Sequence, residues 1–397
     1  MTVVAVIGGG VYATVLCESL SRALDGDALT VRLVARDVER LSVIAGEALV
    51  RARAVNASAS VVAARSFEEA VEGADHVVLL VRAGGLAARA WDEAFPRERG
   101  LVGDEGLGVG GISNAWRTAP LLATMADTLR ARAPNARVWN LVAPLGITTR
   151  VLLDAGVDAV GVCELPLVTR ERWGLSDAEL GYAGLNHLGW FWPRNDAARA
   201  VLEAAPDVDG PTLRAFGAAP LRYYYELFDR DAAERLGVTR KPGRAKALAT
   251  MADDAITAFR TTPGAWRPSR PTPWFDRALV PMIAAREGRA PWTGYVNVRN
   301  TGKASAFVSS ETVVERAATI DAGGVRTRVD GDLPVNVAQW LTTAAHVEEL
   351  TYTAATGRDA RVLRRALAAL PWQLTNDDVA WLAERVERGF DEGAMET

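Results

Sequence analysis

Thr2-Val3-Val4-Ala5-Val6-Ile7-Gly8-Gly9-Gly10-Val11-Tyr12-Ala13 is the stretch that decides how this chain is read. Residues 3–7 are a continuous, largely β-branched run, as expected of a strand buried on both faces. The glycines predict a tight turn, and the residues from Val11 onward predict a helix. Strand, glycine-rich turn and helix together make a phosphate cradle. Glycines let the backbone approach a pyrophosphate, and the helix start offers free N–H groups and a positive dipole end. The spacing is Gly8-x-Gly10-x-x-Ala13, a variant of the dinucleotide fingerprint. Gly8, Gly9, Gly10, Val11 and Tyr12 are therefore the expected cofactor contacts.

Outward from that turn the pattern repeats. Apolar runs at 29–35, 60–64, 74–81, 138–142 and 157–163 read as strands, with helical segments between them. Such alternation predicts an α/β fold with an N-terminal Rossmann-like, doubly wound parallel sheet. The second strand ends in Ala35-Arg36-Asp37. Asp37 is placed to hold the adenosine ribose hydroxyls of NAD. Arg36 is placed to meet the 2′-phosphate of NADP, so both cofactors stay open. Arg82-Ala83-Gly84-Gly85 follows the 74–81 strand at its carboxyl end, where such sheets bind ligands. Arg82 is thus a candidate for an anionic group. From about residue 165 the alternation fades. We expect a dinucleotide-binding domain over 1–165 and an α+β substrate, metal and oligomerisation domain over 166–397.

Composition narrows the function classes. A length of 397 residues suits two domains. A net charge of -4, with Arg and Lys scattered, argues against a nucleic-acid partner. No run of 18 apolar residues suggests a membrane span, and residues 2–10 lack the basic start of a signal peptide. Two cysteines give no disulfide framework, so a cytoplasmic location is expected.

One of those cysteines closes a strand, in Gly161-Val162-Cys163-Glu164-Leu165-Pro166. One of three histidines sits in Gly184-Leu185-Asn186-His187-Leu188. Both lie among apolar and small residues. A thiolate and an imidazole converging on one point suit a divalent metal. A buried cysteine and a satisfied core histidine are the alternative. His76, inside a strand, and His346, on a helix, read as structural or surface residues.

Taken in order, these motifs resemble glycoside hydrolase family 4, the NAD- and metal-dependent glycosidases that include 6-phospho-glucosidases and α-galactosidases. The resemblance runs through Arg82-Ala83-Gly84-Gly85, the loop from Gly103 to Gly111 and Arg117-Thr118-Ala119-Pro120. It continues through Cys163, Asn186-His187 and Leu221-Arg222-Tyr223-Tyr224-Tyr225. Val313-Val314-Glu315, Gly331-Asp332-Leu333-Pro334 and Glu349-Leu350-Thr351 complete it.

The resemblance implies a lactate/malate-dehydrogenase-like architecture with NAD and a divalent ion, manganese above all, held by Cys163 and His187. It implies a glycosidase that cleaves by redox and elimination. NAD takes hydride from C3 of the sugar, a tyrosinate takes the C2 proton, and the C1 substituent leaves. Water then adds and the steps reverse. Such enzymes stand outside the two-carboxylate rule of glycoside hydrolysis. Tyr223 or Tyr224 is the implied base and Glu164 the implied acid. Glu105 and Asn186 are candidates for sugar hydroxyls, and Arg82 for a 6-phosphate or other anionic substituent. Family habit implies a homodimer or homotetramer acting on a small sugar or glycoside.

Two departures bear on the substrate more than on the fold. Ala143-Pro144 stands where the family has Asn-Pro, and Asn140 is the nearest substitute for that sugar contact. Glu164 stands where the family has Asn or Asp. A sugar or sugar-phosphate dehydrogenase or epimerase would share the C3 oxidation. A non-catalytic nucleotide-binding homologue is the third reading. A lactate- or malate-type dehydrogenase lacks its His–Asp relay here.

In the second half, Trp190-Phe191-Trp192-Pro193 reads as core before it reads as a sugar platform. A helix is expected to start at Pro220 and carry the tyrosines. The helix at 245–259 is expected to pack on it, and 261–273, with four prolines, reads as a loop. Strands are expected at 295–300 and 318–329, the latter turning at Gly323-Gly324, and helices at 336–355 and 359–370.

Overall fold

The structure, a computed structural model, describes residues 1–301 and 308–390. Its centre is a nine-stranded sheet. In chain order the strands are β1 (Thr2–Gly8), β2 (Leu29–Val34), β3 (Ser60–Ala63), β4 (His76–Leu80), β5 (Arg137–Asn140) and β6 (Ala159–Val162). β7 (Leu180–Ala183), β8 (Trp190–Pro193) and β9 (Ala219–Pro220) form a separate antiparallel sheet. β10 (Trp292–Arg299), β11 (Val313–Asp321) and β12 (Gly324–Thr327) return to the large one. The large sheet runs β12-β11-β10-β6-β5-β4-β1-β2-β3. Its β1–β6 part is wholly parallel, in the order of a dinucleotide-binding sheet. The expectation of a Rossmann-like doubly wound fold is met.

The apolar run of β1 explains its central place. Val4 and Val6 pack into the core on one face, under the helices Ala13–Ala23 and Val38–Arg53. Val3, Ala5 and Ile7 pack on the other, under Gly108–Arg132 and Leu145–Asp154. Each fully buried valine or isoleucine contributes roughly 1.5–3 kcal/mol by leaving water. A polar residue at any of these positions would break one of the two layers.

Several second-half expectations change. Pro220 lies in β9, and the tyrosine helix, Arg222–Phe228, begins two residues later. The helix Arg244–Thr261 packs on Gly85–Ala94 and Val38–Arg53 rather than chiefly on the tyrosine helix. The expected strands at 295–300 and 318–329 are longer, and they extend the nucleotide sheet. β10 pairs antiparallel with β6 through Val296↔Val162 and Asn297↔Gly161. No helix among the described residues is long and apolar enough to cross a membrane.

Candidate active site

The sheet register brings the carboxyl ends of four strands to one edge. Gly8 stands beside Leu80, Leu79 beside Asn140, and Asn140 beside Gly161. The glycine turn, Arg82, the Ala143-Pro144 turn and Cys163 therefore open on one cleft. Gly8, Gly9 and Gly10 all adopt positive φ. A Cβ on Gly8 would lie 2.8 Å from the Leu80 carbonyl oxygen, so the strand crossing needs glycine there. Gly10 faces open space instead. Val11 is buried beneath the turn. Tyr12 packs edge-on against Trp266 and Trp274, and its hydroxyl points at the Met251 sulfur, 3.2 Å away. Asp37 caps the next helix by accepting from the Arg40 N–H at 2.9 Å. Arg36 reaches toward Gly85, at the mouth of the same cleft.

Cys163 lies one residue beyond β6, buried in the helix-start turn. Its sulfur is in hydrogen-bond reach of the Asn186 amide. Burial pushes the thiol well above its ordinary range, and the Glu315 and Glu164 carboxylates push it further. Asn186 and His187 occupy a tight turn closed by the Leu188 N–H on the Leu185 carbonyl, 2.9 Å. His187 has φ 65, in the left-handed region that non-glycine residues rarely enter. Such strain persists where surrounding contacts over-determine a functional turn.

Those contacts are explicit. The Glu315 N–H donates to the Gly184 carbonyl at 2.8 Å. The fully buried Glu315 carboxylate accepts from the Tyr182 hydroxyl at 2.5 Å, Asn297 at 2.9 Å and Asn186 at 3.4 Å. Burial raises Glu315 to about 7.

His187 lies flat on Tyr223, with ring centroids 4.2 Å apart and planes at 17°. Its Nδ1 is buried without a hydrogen-bond partner. Burial lowers the imidazole to about 4, so it is neutral at pH 7 and offers a lone pair. A buried thiol beside two carboxylates and an orphaned imidazole nitrogen form a donor set short of positive charge. These residues fit a divalent cation. Among the described residues no third His, Cys, Asp or Glu joins them in a ligand cluster, which leaves coordination positions for substrate oxygens or water.

The two tyrosines separate cleanly. Tyr223 faces His187, with the Arg240 guanidinium 4.8 Å from its ring centre. Burial raises its phenol to about 12, and Arg244 opposes that shift. Tyr224 turns away into an aromatic cluster with Trp190, Phe216 and Trp340.

Glu164 sits at the N-cap of Leu165–Trp173, yet its side chain makes no cap hydrogen bond. Burial raises its carboxyl, with Arg270 opposing. Arg82 grips Glu105 through two bonds, at 2.8 and 3.2 Å, and Arg89 adds a third at 2.6 Å. Burial works against ionisation of Glu105, but Arg82 and Arg89 prevail and hold it below the ordinary carboxylate range.

Asn140 does not reach the cleft. It is fully buried, donates to Thr148 and Thr149, and accepts from the Val142 N–H. It braces the Ala143-Pro144 turn, and no group on it is left for a sugar.

The sequence reading passed over Arg244 and Arg270. Neither forms an ion pair with a carboxylate among the described residues, yet both act electrostatically on Tyr12, and Arg270 on Glu164. Their signal was weak, because an arginine at a helix start and one in a proline-rich loop both read as surface.

Two family models match this chain. Family 4 glycosyl hydrolase covers residues 3–174, and the family 4 glycosyl hydrolase C-terminal domain covers residues 182–372. A 6-phospho-beta-glucosidase of Thermotoga maritima is 27% identical over 347 residues, 81% of this chain and 82% of that protein. An alpha-galactosidase of Rhizobium meliloti is 24% identical over 385 residues, 82% of this chain and 77% of that protein. The Thermotoga maritima 6-phospho-beta glucosidase, solved with manganese, NAD+ and glucose-6-phosphate, superposes with a TM-score of 0.83. Identity there is 24%, and 98% of each chain is covered.

Proposed function

Because this chain belongs to glycosyl hydrolase family 4, we propose that it cleaves a glycosidic bond by C3 oxidation, C2 deprotonation and elimination at C1, followed by addition of water at C1, return of the proton to C2 and of the hydride to C3. The reading places NAD at the Gly8–Gly10 turn, manganese at Cys163 and His187, and a sugar with an anionic substituent between them. One observation carries it. Cys163, Asn186, His187 and Tyr223 converge beside the glycine turn, with the His187 Nδ1 buried and unpartnered. When bound, NAD supplies a hydride acceptor and the metal a Lewis acid that acidifies the C2 proton.

The chain's own groups do the rest. Tyr223 takes the C2 proton, because it alone of the two candidates faces His187. Its high phenol pKa makes it a base only where positive charge adjoins it, and Arg240 and Arg244 already stand there. Asn186 positions the Cys163 sulfur and is itself anchored by Glu315. Glu164, its carboxyl raised by burial and free of capping duty, gives its proton to the leaving oxygen. Arg82 is occupied by Glu105, so Arg244 and Arg270 are the better holders of a 6-phosphate or similar anion.

The relatives' names support this range. The Thermotoga protein is named for a 6-phosphorylated glucoside and the Rhizobium protein for a galactoside. The test is nitrophenol release from α- and β-aryl glycosides, plain and 6-phosphorylated, with and without NAD and Mn2+. Hydrolysis that needs both additives is expected. NADH accumulating on free sugars without any hydrolysis would replace this reading with a dehydrogenase.

A further inference from the structure

A cavity of about 200 Å³ adjoins the site. Its walls include Gly106, Pro144, Leu188, Phe228, Trp340 and Glu348. Two observations tie it to the site. Leu188 directly follows His187. The Glu348 carboxylate feels the charge of Glu315, which anchors Asn186.

The lining is chiefly apolar. Among the described residues that form it, Glu348 alone is charged, and it makes no hydrogen bond or ion pair there. Burial raises its carboxyl to about 8, so at neutral pH it is largely an uncharged O–H group. An apolar cavity of about 150 Å³ holds benzene, so this volume suits one six-membered ring and not a second sugar with its full water shell. Nothing in it would neutralise a phosphate.

We propose that this cavity is the leaving-group subsite, taking an apolar, aromatic aglycone whose outer hydroxyl meets the Glu348 carboxyl. The inference rests on the glycosidase reading above and specifies its substrate. In this cavity an aryl ring escapes water, and the anionic sugar end lies with Arg244 and Arg270, neither of which lines it.

The experiment compares an aryl glycoside with the methyl glycoside of the same sugar, using the chain loaded with NAD and Mn2+. In Ala344→Phe, a phenyl group fills the cavity from its wall. It is expected to lower kcat/KM for the aryl glycoside about ten-fold or more, mainly through KM, and to leave the methyl glycoside within about two-fold. If that variant does not fold, Ala344→Leu gives the same comparison. Glu348→Gln is expected to weaken a hydroxyphenyl aglycone and spare a plain phenyl one. Equal losses on aryl and methyl substrates, or no loss on either, would overturn the subsite.

A second arm needs no turnover. Fluorophenol binding to the chain without NAD or metal is followed by ¹⁹F NMR, and Ala344→Phe should abolish it. A chain that hydrolyses nothing but binds fluorophenol at this cavity refutes the glycosidase reading and leaves the aryl site standing. Absence of binding by the folded wild-type chain refutes the aryl site.

Discussion

His187 stacks face to face on Tyr223, at 4.2 Å between ring centroids, and this contact joins the Asn186-His187 turn to the tyrosine helix. The first comes from the β7–β8 connection and the second from the helix Arg222–Phe228 after β9. The contact aims one phenol at the cleft and leaves its neighbour, Tyr224, in the aromatic core.

Tyr223→Phe is therefore expected to lower kcat by about 10²–10⁴, the usual worth of a positioned general base. Tyr224→Phe should keep kcat near the wild-type value. Its hydroxyl has no hydrogen-bond partner among the described residues, and the ring packing is retained. Steady-state kinetics with NAD and Mn2+ decide the matter, together with solvent deuterium incorporation at C2. Equal losses in the two variants would remove Tyr223 from the role of base.

Chelation should remove activity, and Mn2+ should restore it. Cys163→Ser replaces a soft donor by a hard, weakly acidic one in the same volume. Metal affinity should fall by at least about 10-fold, while far-UV circular dichroism and the melting curve stay close to wild type. Undiminished Mn2+ binding by the variant, measured by electron paramagnetic resonance, would exclude Cys163 as a ligand.

The glycine turn gives a paired test. In Gly8→Ala the new methyl collides with the Leu80 carbonyl at φ 88 and should cost about 1–3 kcal/mol of stability. In Gly10→Ala the methyl enters open space, so folding should lose only about 1 kcal/mol for the left-handed backbone. NAD affinity should nonetheless fall, because on the proposed reading the methyl projects toward the pyrophosphate. Denaturant melts and NAD titration by tryptophan fluorescence separate the two effects.

Acid stability should carry the mark of Glu287. The His76 hydrogen bond, outweighing burial, lowers this carboxyl to about 2, and the Thr2 hydroxyl helps. A depressed carboxyl stabilises the fold above its unfolded value near 4.5, and that contribution is lost as pH falls through about 2. Discounted for partial exposure, it amounts to about 1–2 kcal/mol. Glu287→Gln should flatten the stability curve between pH 4.5 and 2. An unchanged slope in urea melts across that window would remove Glu287 as its source.

The parallel sheet was legible in the sequence because it rests on local pattern: a doubly buried strand reads as one apolar run. Cys163 and His187 drew notice as rare residue types. Glu315 and Glu348 were not legible as site residues. Each belongs to an apolar-patterned element, and only the tertiary fold brings Glu315 to Asn186 and Glu348 to the cavity. β10 and β11 read as strands, but their docking beside β6 is a pairing over more than a hundred residues that no local pattern encodes. The long helix Gly108–Arg132 hid behind its glycine-rich start and the internal Pro120. Asn140 misled because a lone asparagine near a proline turn looks the same whether it braces the turn or reaches a ligand.

Glu164 yields the sharpest test of the chemistry. Its carboxyl is raised by burial, lies at a helix start without capping it, and adjoins Cys163. An acid of this kind matters only when the leaving oxygen needs a proton. Nitrophenolate leaves unaided, and a methoxide does not. Glu164→Gln keeps the shape and removes the proton. Turnover of the methyl glycoside should fall by about 10²-fold or more, and that of the nitrophenyl glycoside by less than about 10-fold. The wild-type rate on the methyl glycoside should also decline as pH rises through the carboxyl's raised value, because the acid is active only while protonated. The same decline should be missing from the variant. Equal losses on both substrates would make Glu164 a structural carboxylate and leave proton delivery to solvent.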